Sequence, residues 1–144
     1  MIARRPAALG LAASLLALAA CESAERREAQ SVVIAVARFR SADHASTPAM
    51  VEALKATPCT APDVCKTRDD CASTGEATAR ALRLKAEVER GLAALEDGSL
   101  AKDSPEAREL PKKLDEAEVL LKQGHEGLAK CDEDVQALKR KHRI

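Results

Sequence analysis

The stretch from Leu110 to Leu138, LPKKLDEAEVLLKQGHEGLAKCDEDVQAL, carries the most regular pattern in this chain of 144 residues. Nine apolar or small positions recur in it at strictly alternating steps of four and three: Leu110, Leu114, Ala117, Leu121, Gly124, Leu128, Cys131, Val135 and Leu138. Steps of that kind keep every position on one side of an α-helix. The stretch therefore predicts a long helix with a continuous seam like that of a coiled coil.

A second long helix is predicted directly upstream, from about Pro62 to Asp97, with Gly98 closing it. Its apolar positions recur at steps of three or four: Ala77, Ala81, Leu84, Val88, Leu92 and Leu95. Residues 98–103 form the turn, and Ser104-Pro105 restarts the helix. Pro111 either begins the main part of this last helix or kinks it. Two long helices joined by a short turn predict an antiparallel hairpin.

The cysteines test the register of this hairpin. With the turn centred near residue 101, antiparallel partners have numbers that sum to about 202, so Cys131 lies opposite Cys71. A disulfide needs Cα atoms about 4.4–6.8 Å apart, and the competitor Cys65 lies about 9 Å further along the helix. We therefore predict a Cys71–Cys131 disulfide. This pairing leaves Cys59 and Cys65 to close a small loop at the corner before the long helix.

A thiolate metal site is the rival interpretation of these cysteines. Their C-x5-C-x5-C spacing lacks the C-x2-C pair that is typical of zinc sites. His125-Glu126 begins an H-E-x-x-H motif, but Ala129 stands where the second histidine is needed. We therefore predict neither a metal nor another cofactor.

The segment before the hairpin predicts a helical arm. Within residues 22–42, Val32, Val36 and Phe39 lie on one helical face, and a short helix from Pro48 to about Ala56 follows. No part of the chain shows a strand pattern. The predicted fold class is all-α: a disulfide-stapled antiparallel helical hairpin with an additional N-terminal helical arm. This arrangement has three to four helices in a single domain over residues 21–144.

Residues 1–20 stand apart from this domain. Arg4 and Arg5 precede a largely apolar run from Ala7 to Ala20, which ends in small residues before Cys21. This order is typical of a secretory signal peptide, and Leu18-Ala19-Ala20-Cys21 resembles the lipobox of bacterial lipoproteins. The resemblance implies cleavage before Cys21, which then carries the lipid. The alternatives are a soluble exported chain and a transmembrane anchor, although the run is shorter than the ~20 residues that a spanning helix needs.

The lipoprotein resemblance also implies a location. In enteric-type lipoproteins, an Asp directly after the lipidated cysteine retains the protein in the inner membrane, and here that residue is Glu22. We therefore expect a lipid-anchored protein of the bacterial cell envelope, on the outer membrane and facing the periplasm. An even set of four further cysteines suits this oxidising compartment.

Composition excludes several classes of function. Without Arg4 and Arg5, 21 basic residues stand against 23 acidic ones, a balance too even for a nucleic-acid-binding protein. Phe39 is the only aromatic residue, which argues against carbohydrate recognition and against a conventional small-molecule pocket. No set of residues has the spacing of a catalytic site. We therefore predict a protein that is not an enzyme.

The end of the last helix is strongly basic. Lys139, Arg140, Lys141 and Arg143 flank His142, and cations are favourable at a helix C-terminus because of the helix dipole. The alternative is contact with an anionic envelope component, either a lipid, lipopolysaccharide or cell-wall polymer. We thus expect a membrane-anchored helical lipoprotein with a structural or protein-interaction role, and a partner protein in the envelope. The second hypothesis is an anion-binding module centred on this basic end.

Overall fold

The structure, a computed structural model, describes residues 23–144. These residues form four α-helices and no strand: α1 Ala24–Arg40, α2 Thr47–Lys55, α3 Pro62–Glu96 and α4 Pro105–His142. The predicted all-α fold, a helical hairpin with an N-terminal arm, is confirmed. The signal peptide and the lipobox with Cys21 lie outside the described residues.

Short sequence signals set the ends of these helices. Ser23 and Ser104 are N-caps, and their side-chain oxygens accept the backbone N–H groups of Arg26 and Ala107 at 3.2 and 3.1 Å. Gly98 has a φ of 78°, a conformation that glycine adopts without steric cost, and it lets the chain leave α3. Pro111 lies inside α4, so the last helix begins at Pro105 and continues past it.

Two disulfides staple the hairpin formed by α3 and α4. Cys71 and Cys131 pair with their Cα atoms 4.9 Å apart, and both are fully buried. Cys59 and Cys65 pair with a Cα separation of 5.4 Å at the corner before α3. Both predicted pairings are confirmed, and the hairpin register with partner numbers summing to about 202 is therefore correct.

The hydrophobic core lies at one end of the hairpin, which we call the base: residues 23–79 and 124–144. There α1 packs against α3 and α4, α2 packs against α1 and α3, and the buried cluster draws on all four helices. Its largest fully buried side chains are Val32, Val51, Leu54, Val64, Cys71 and Cys131. Phe39 also packs into this cluster, against Gly75, where an added Cβ would lie 2.8 Å from the ring.

The other end of the hairpin, residues 80–123, consists of α3, α4 and their turn alone, and we call it the stalk. α1 has 17 residues and spans about 25 Å, whereas α3 has 35 and spans about 50 Å. α1 is thus too short to cover the stalk.

The predicted seam is only partly buried for this reason. Ala117 and Gly124 are buried, but Leu114 and Leu121 are 43% and 42% exposed. A two-helix ribbon has no third element to cover side chains at the edge of its seam. Within the stalk the seam positions alternate between buried and exposed, whereas in the base none of them is exposed.

Candidate interaction surfaces

One side of the stalk is apolar. Seven residues of α3 and α4 line a shallow depression of about 270 Å³ there, which we call the stalk face: Val88, Leu92, Leu95, Ala107, Leu110, Pro111 and Leu114. Leu92 is 49% exposed and Leu114 is 43% exposed. The two leucines thus expose apolar surface within one depression whose lining contains no charged residue.

The opposite side of the stalk combines charged and apolar residues. A depression there is lined by Glu87, Arg90, Glu106, Glu109 and Lys113 together with Gly91, Leu100, Pro105 and Leu110. Lys113 donates to Glu87 across the two helices at 2.7 Å, and this hydrogen bond lowers the pKa of the Glu87 carboxyl. The two sides of the stalk therefore differ in that charged residues line the second depression and none lines the stalk face.

The stalk face continues the side of the hairpin that α1 covers in the base. Arg40, at the end of α1, pairs with Asp132 of α4. Asp132, His125, Leu121 and Leu114 follow each other at steps of seven, four and seven, so they lie along one side of α4. One side of the hairpin is thus covered by α1 in the base, whereas no helix of the described chain covers the same side in the stalk.

On α3, too, the stalk face continues the side of the hairpin that the arm covers. The connection between α1 and α2 reaches Lys85 and Glu89, since His44 and Ala45 line a depression together with them. Leu92 follows Glu89 by three residues and lies on the same side of α3. The arm therefore ends where the exposed leucines begin.

The basic end of α4 contacts the first turn of α3 within the base. Lys141 donates to the carboxylate of Asp63 at 2.9 Å, and the ring Nε2 of His142 lies 2.9 Å from the same oxygen. The hydrogen bond from Lys141, more than that with His142, lowers the pKa of Asp63 to about 2. Of the four predicted anion-contact residues, Lys141 is thus engaged within the chain. Arg140 and Arg143 are exposed, and Lys139 is half-buried.

This basic end lies beside the start of α1. The guanidinium of Arg26 donates to the backbone carbonyl of Arg143 at 3.2 Å. Arg143 adopts a left-handed conformation with a φ of 53°, and Ile144 packs against the core. The first turn of α1 and the last turn of α4 therefore form one end of the molecule, opposite the stalk turn.

A network of alternating charges joins α3 to α4 in the base. Lys130 contacts Asp134 at 2.8 Å and Asp70 at 3.2 Å, and Lys66 also pairs with Asp70. The hydrogen bond to Asp134 raises the pKa of Lys130, and that from Lys66 lowers the pKa of Asp70. These half-exposed pairs balance one another, so the network is a solvated structural surface of small energetic value.

Sequence reasoning found the leucines of the stalk face as positions of the two apolar helix patterns, without showing which of them the hairpin covers. The length of the arm is the sequence feature that indicates which of these leucines stay uncovered. The predicted α1 and α2 segments are too short to cover a hairpin about 50 Å long, so part of the hairpin had to remain a two-helix structure.

Neither a membrane span nor a metal cluster occurs in the described part of the chain. No helix within residues 23–144 is long and apolar enough to cross a bilayer. Nor do three or more potential metal-ligating side chains come together in this range. Comparison with known proteins found no match to any family model, any curated protein or any solved structure.

Proposed function

We propose that this chain is a lipid-anchored protein of the bacterial cell envelope with a non-catalytic, structural or protein-interaction role. The signal peptide and the lipobox support an anchor at Cys21, on the outer membrane and facing the periplasm. Ser23, the N-cap of α1, follows Cys21 by two residues, a span of about 7 Å at most. An anchor at Cys21 therefore holds the base next to the membrane.

The observation that carries the interaction role is the stalk face. It lies at the end of the hairpin remote from α1, and two of its four leucines, Leu92 and Leu114, are about half exposed. A hairpin that is anchored at its base extends this face up to about 50 Å from the membrane. An apolar surface held at that distance is suited to contact with another protein in the periplasm.

A photoreactive amino acid at position 114 tests the proposal in the native envelope. We expect ultraviolet light to produce a discrete protein adduct from position 114 and none from position 109, which lies on the opposite side of the stalk. Mass spectrometry of the adduct identifies the partner. A palmitate analogue supplied to the same cells should label the chain, and Cys21→Ser should remove both the label and the adduct.

Matched charge insertions control this experiment. Leu92→Glu places a charge on the stalk face and should abolish the adduct from position 114. Val119→Glu should leave the adduct intact, because Val119 is also exposed, at 57%, but does not line the stalk face. Absence of any adduct from position 114 in the unaltered stalk would contradict the interaction role, and a chain that is not labelled would contradict the anchor.

A second candidate function is contact with an anionic lipid through the basic end of α4. The observation that favours it is the bond between Arg26 and Arg143, which joins this basic end to the start of α1. If Cys21 carries the lipid, then Lys139, Arg140 and Arg143 lie close to the headgroups. Each basic residue near an anionic surface contributes about 1 kcal/mol.

Charge reversal separates this candidate from a simple helix-dipole effect. The triple variant Lys139→Glu, Arg140→Glu and Arg143→Glu should bind vesicles that contain phosphatidylglycerol at least about a hundredfold more weakly at low salt. The control reverses three exposed lysines of the stalk, Lys102, Lys112 and Lys122, which gives the same net charge. Equal losses in the two variants, or no loss in either, would contradict a specific contact by the basic end.

A further inference from the structure

We infer that the Cys59–Cys65 disulfide is an exchange site for thiols, at which the folded chain forms and releases a mixed disulfide. This inference goes beyond the proposed function and does not depend on an anchor at Cys21. It starts from a difference between the two disulfides of the base. Cys71 and Cys131 are fully buried. Cys59 and Cys65, in contrast, are only partly buried.

This difference decides which bridge a thiol can reach. Exchange begins when a thiolate attacks one sulfur atom of a disulfide, so the rate depends on access to that bond. The Cys71–Cys131 bridge joins α3 to α4 inside the core, and a thiolate reaches it only when the base opens. The Cys59–Cys65 bridge lies at the corner between α2 and α3, where both of its residues have exposed surface. We therefore expect thiols to open this bridge in the folded chain.

The corner is also held by hydrogen bonds that do not involve the bridge. The carboxylate of Glu28 accepts the backbone N–H and the hydroxyl of Thr60 at 2.7 and 2.8 Å. The guanidinium of Arg68 donates to the backbone carbonyl of Thr57 at 2.9 Å. Thr57 and Thr60 lie on either side of Cys59, so these bonds keep its thiol in place after the bridge opens. Two thiols held near each other re-form a disulfide readily, and the opening is therefore reversible.

The place of Cys65 in α3 sets the direction of attack. Cys65 is the fourth residue of α3, and its side chain points back toward the helix N-terminus, where the helix dipole stabilises a thiolate. The nearby carboxylate of Asp63 is paired with Lys141 at 2.9 Å, which offsets its negative charge. Cys65 is therefore the better leaving group, and the incoming thiolate bonds to the sulfur of Cys59.

The exchange then proceeds in two steps. The bond between the two cysteines breaks as the new bond to Cys59 forms, and Cys65 leaves as a thiolate. The Cys65 thiolate can attack Cys59 again, which expels the first thiol and restores the bridge. Alternatively, a second thiol attacks the mixed disulfide and frees Cys59. In that case two thiols are oxidised to one disulfide, and one bridge of the chain is reduced.

Reduced glutathione tests the site in the full-length chain carrying Cys21→Ser, which leaves only the four bridged cysteines. The folded chain is incubated with glutathione, treated with N-ethylmaleimide and mapped by mass spectrometry. We expect glutathione on Cys59 and maleimide on Cys65, with opening at least about tenfold faster than at the buried bridge. Circular dichroism should stay unchanged while the outer bridge opens, and urea that unfolds the base should remove the difference in rate.

A matched pair of variants tests the role of the corner. Glu28→Ala removes the bonds to Thr60 and should shift the equilibrium with reduced and oxidised glutathione several-fold toward the open bridge. Glu25→Ala should not shift it, because Glu25 is an exposed acid in the first turn of α1. An unchanged equilibrium in Glu28→Ala would overturn the role assigned to the corner.

The inference as a whole is overturned if the two bridges open at the same rate in the folded chain. It is also overturned if the Cys59–Cys65 bridge opens only in urea that unfolds the base. Glutathione found mainly on Cys65 would overturn the assigned direction of attack. The proposed function is tested by adducts from position 114, so either result can fail without the other.

Discussion

Replacing Cys71 and Cys131 together by alanine is expected to lower the free energy of unfolding by about 4 kcal/mol. The disulfide closes a loop of 60 residues, and the loop-entropy model assigns about that value to a loop of this length. Both cysteines are fully buried, so their loss also removes packing from the centre of the base. Urea denaturation followed by circular dichroism measures the effect through the midpoint and the slope.

The second disulfide is the matched control. Cys59→Ala with Cys65→Ala opens a loop of only six residues, for which the same model gives about 2 kcal/mol. Both cysteines are only partly buried, so little packing is lost. A cost for the Cys71–Cys131 pair that is equal to or smaller than that of the Cys59–Cys65 pair would contradict the role assigned to the long bridge.

The hairpin could be predicted from the sequence because its signals are local or periodic. Gly98 and Ser104-Pro105 mark the turn through conformations that these residues favour. Cys131 falls on the apolar seam, and the register that follows from the turn brings it opposite Cys71. Each of these arguments needs only helix geometry, and the structure confirms them together.

Contacts between distant segments could not be predicted in the same way. The carboxylate of Glu28, on α1, accepts the backbone N–H groups of Thr60 and Ala61 at 2.7 and 3.2 Å. It thereby ties α1 to the corner directly before α3 by satisfying the N–H groups of the N-cap residue Ala61 and of the residue before it. Sequence alone shows Glu28 as one acid among many, because the partner depends on where the arm docks.

The basic end of α4 shows the same limit. Lys139 to Arg143 are adjacent in the sequence and suggest one function for all. In the structure Lys141 binds Asp63, 78 residues away, while Arg140 remains exposed. The tertiary fold therefore gives different roles to neighbouring basic residues. Lys141 forms an ion pair within the chain, and only the other basic residues remain candidates for contact with an anionic partner.

Two identical substitutions, one in each end of the hairpin, are expected to differ several-fold in their cost to stability. Leu54→Ala removes a fully buried side chain from the base and should lower the free energy of unfolding by about 2–5 kcal/mol. Leu92→Ala removes a side chain that is 49% exposed on the stalk face, and it should cost less than about 1.5 kcal/mol. Urea denaturation of both variants at a dilution that keeps the chain monomeric measures the difference.

This comparison bears directly on what the stalk face is for. A leucine that contributes little to the stability of the single chain can instead be buried by a partner. A small effect of Leu92→Ala on stability, together with the loss of adducts from position 114, would therefore assign this side chain to contact with a partner. A cost for Leu92→Ala close to that for Leu54→Ala would mean that Leu92 serves the folding of the stalk itself. The exposed leucines would then be the edge of an intramolecular seam, and the interaction surface would lose its main physical support.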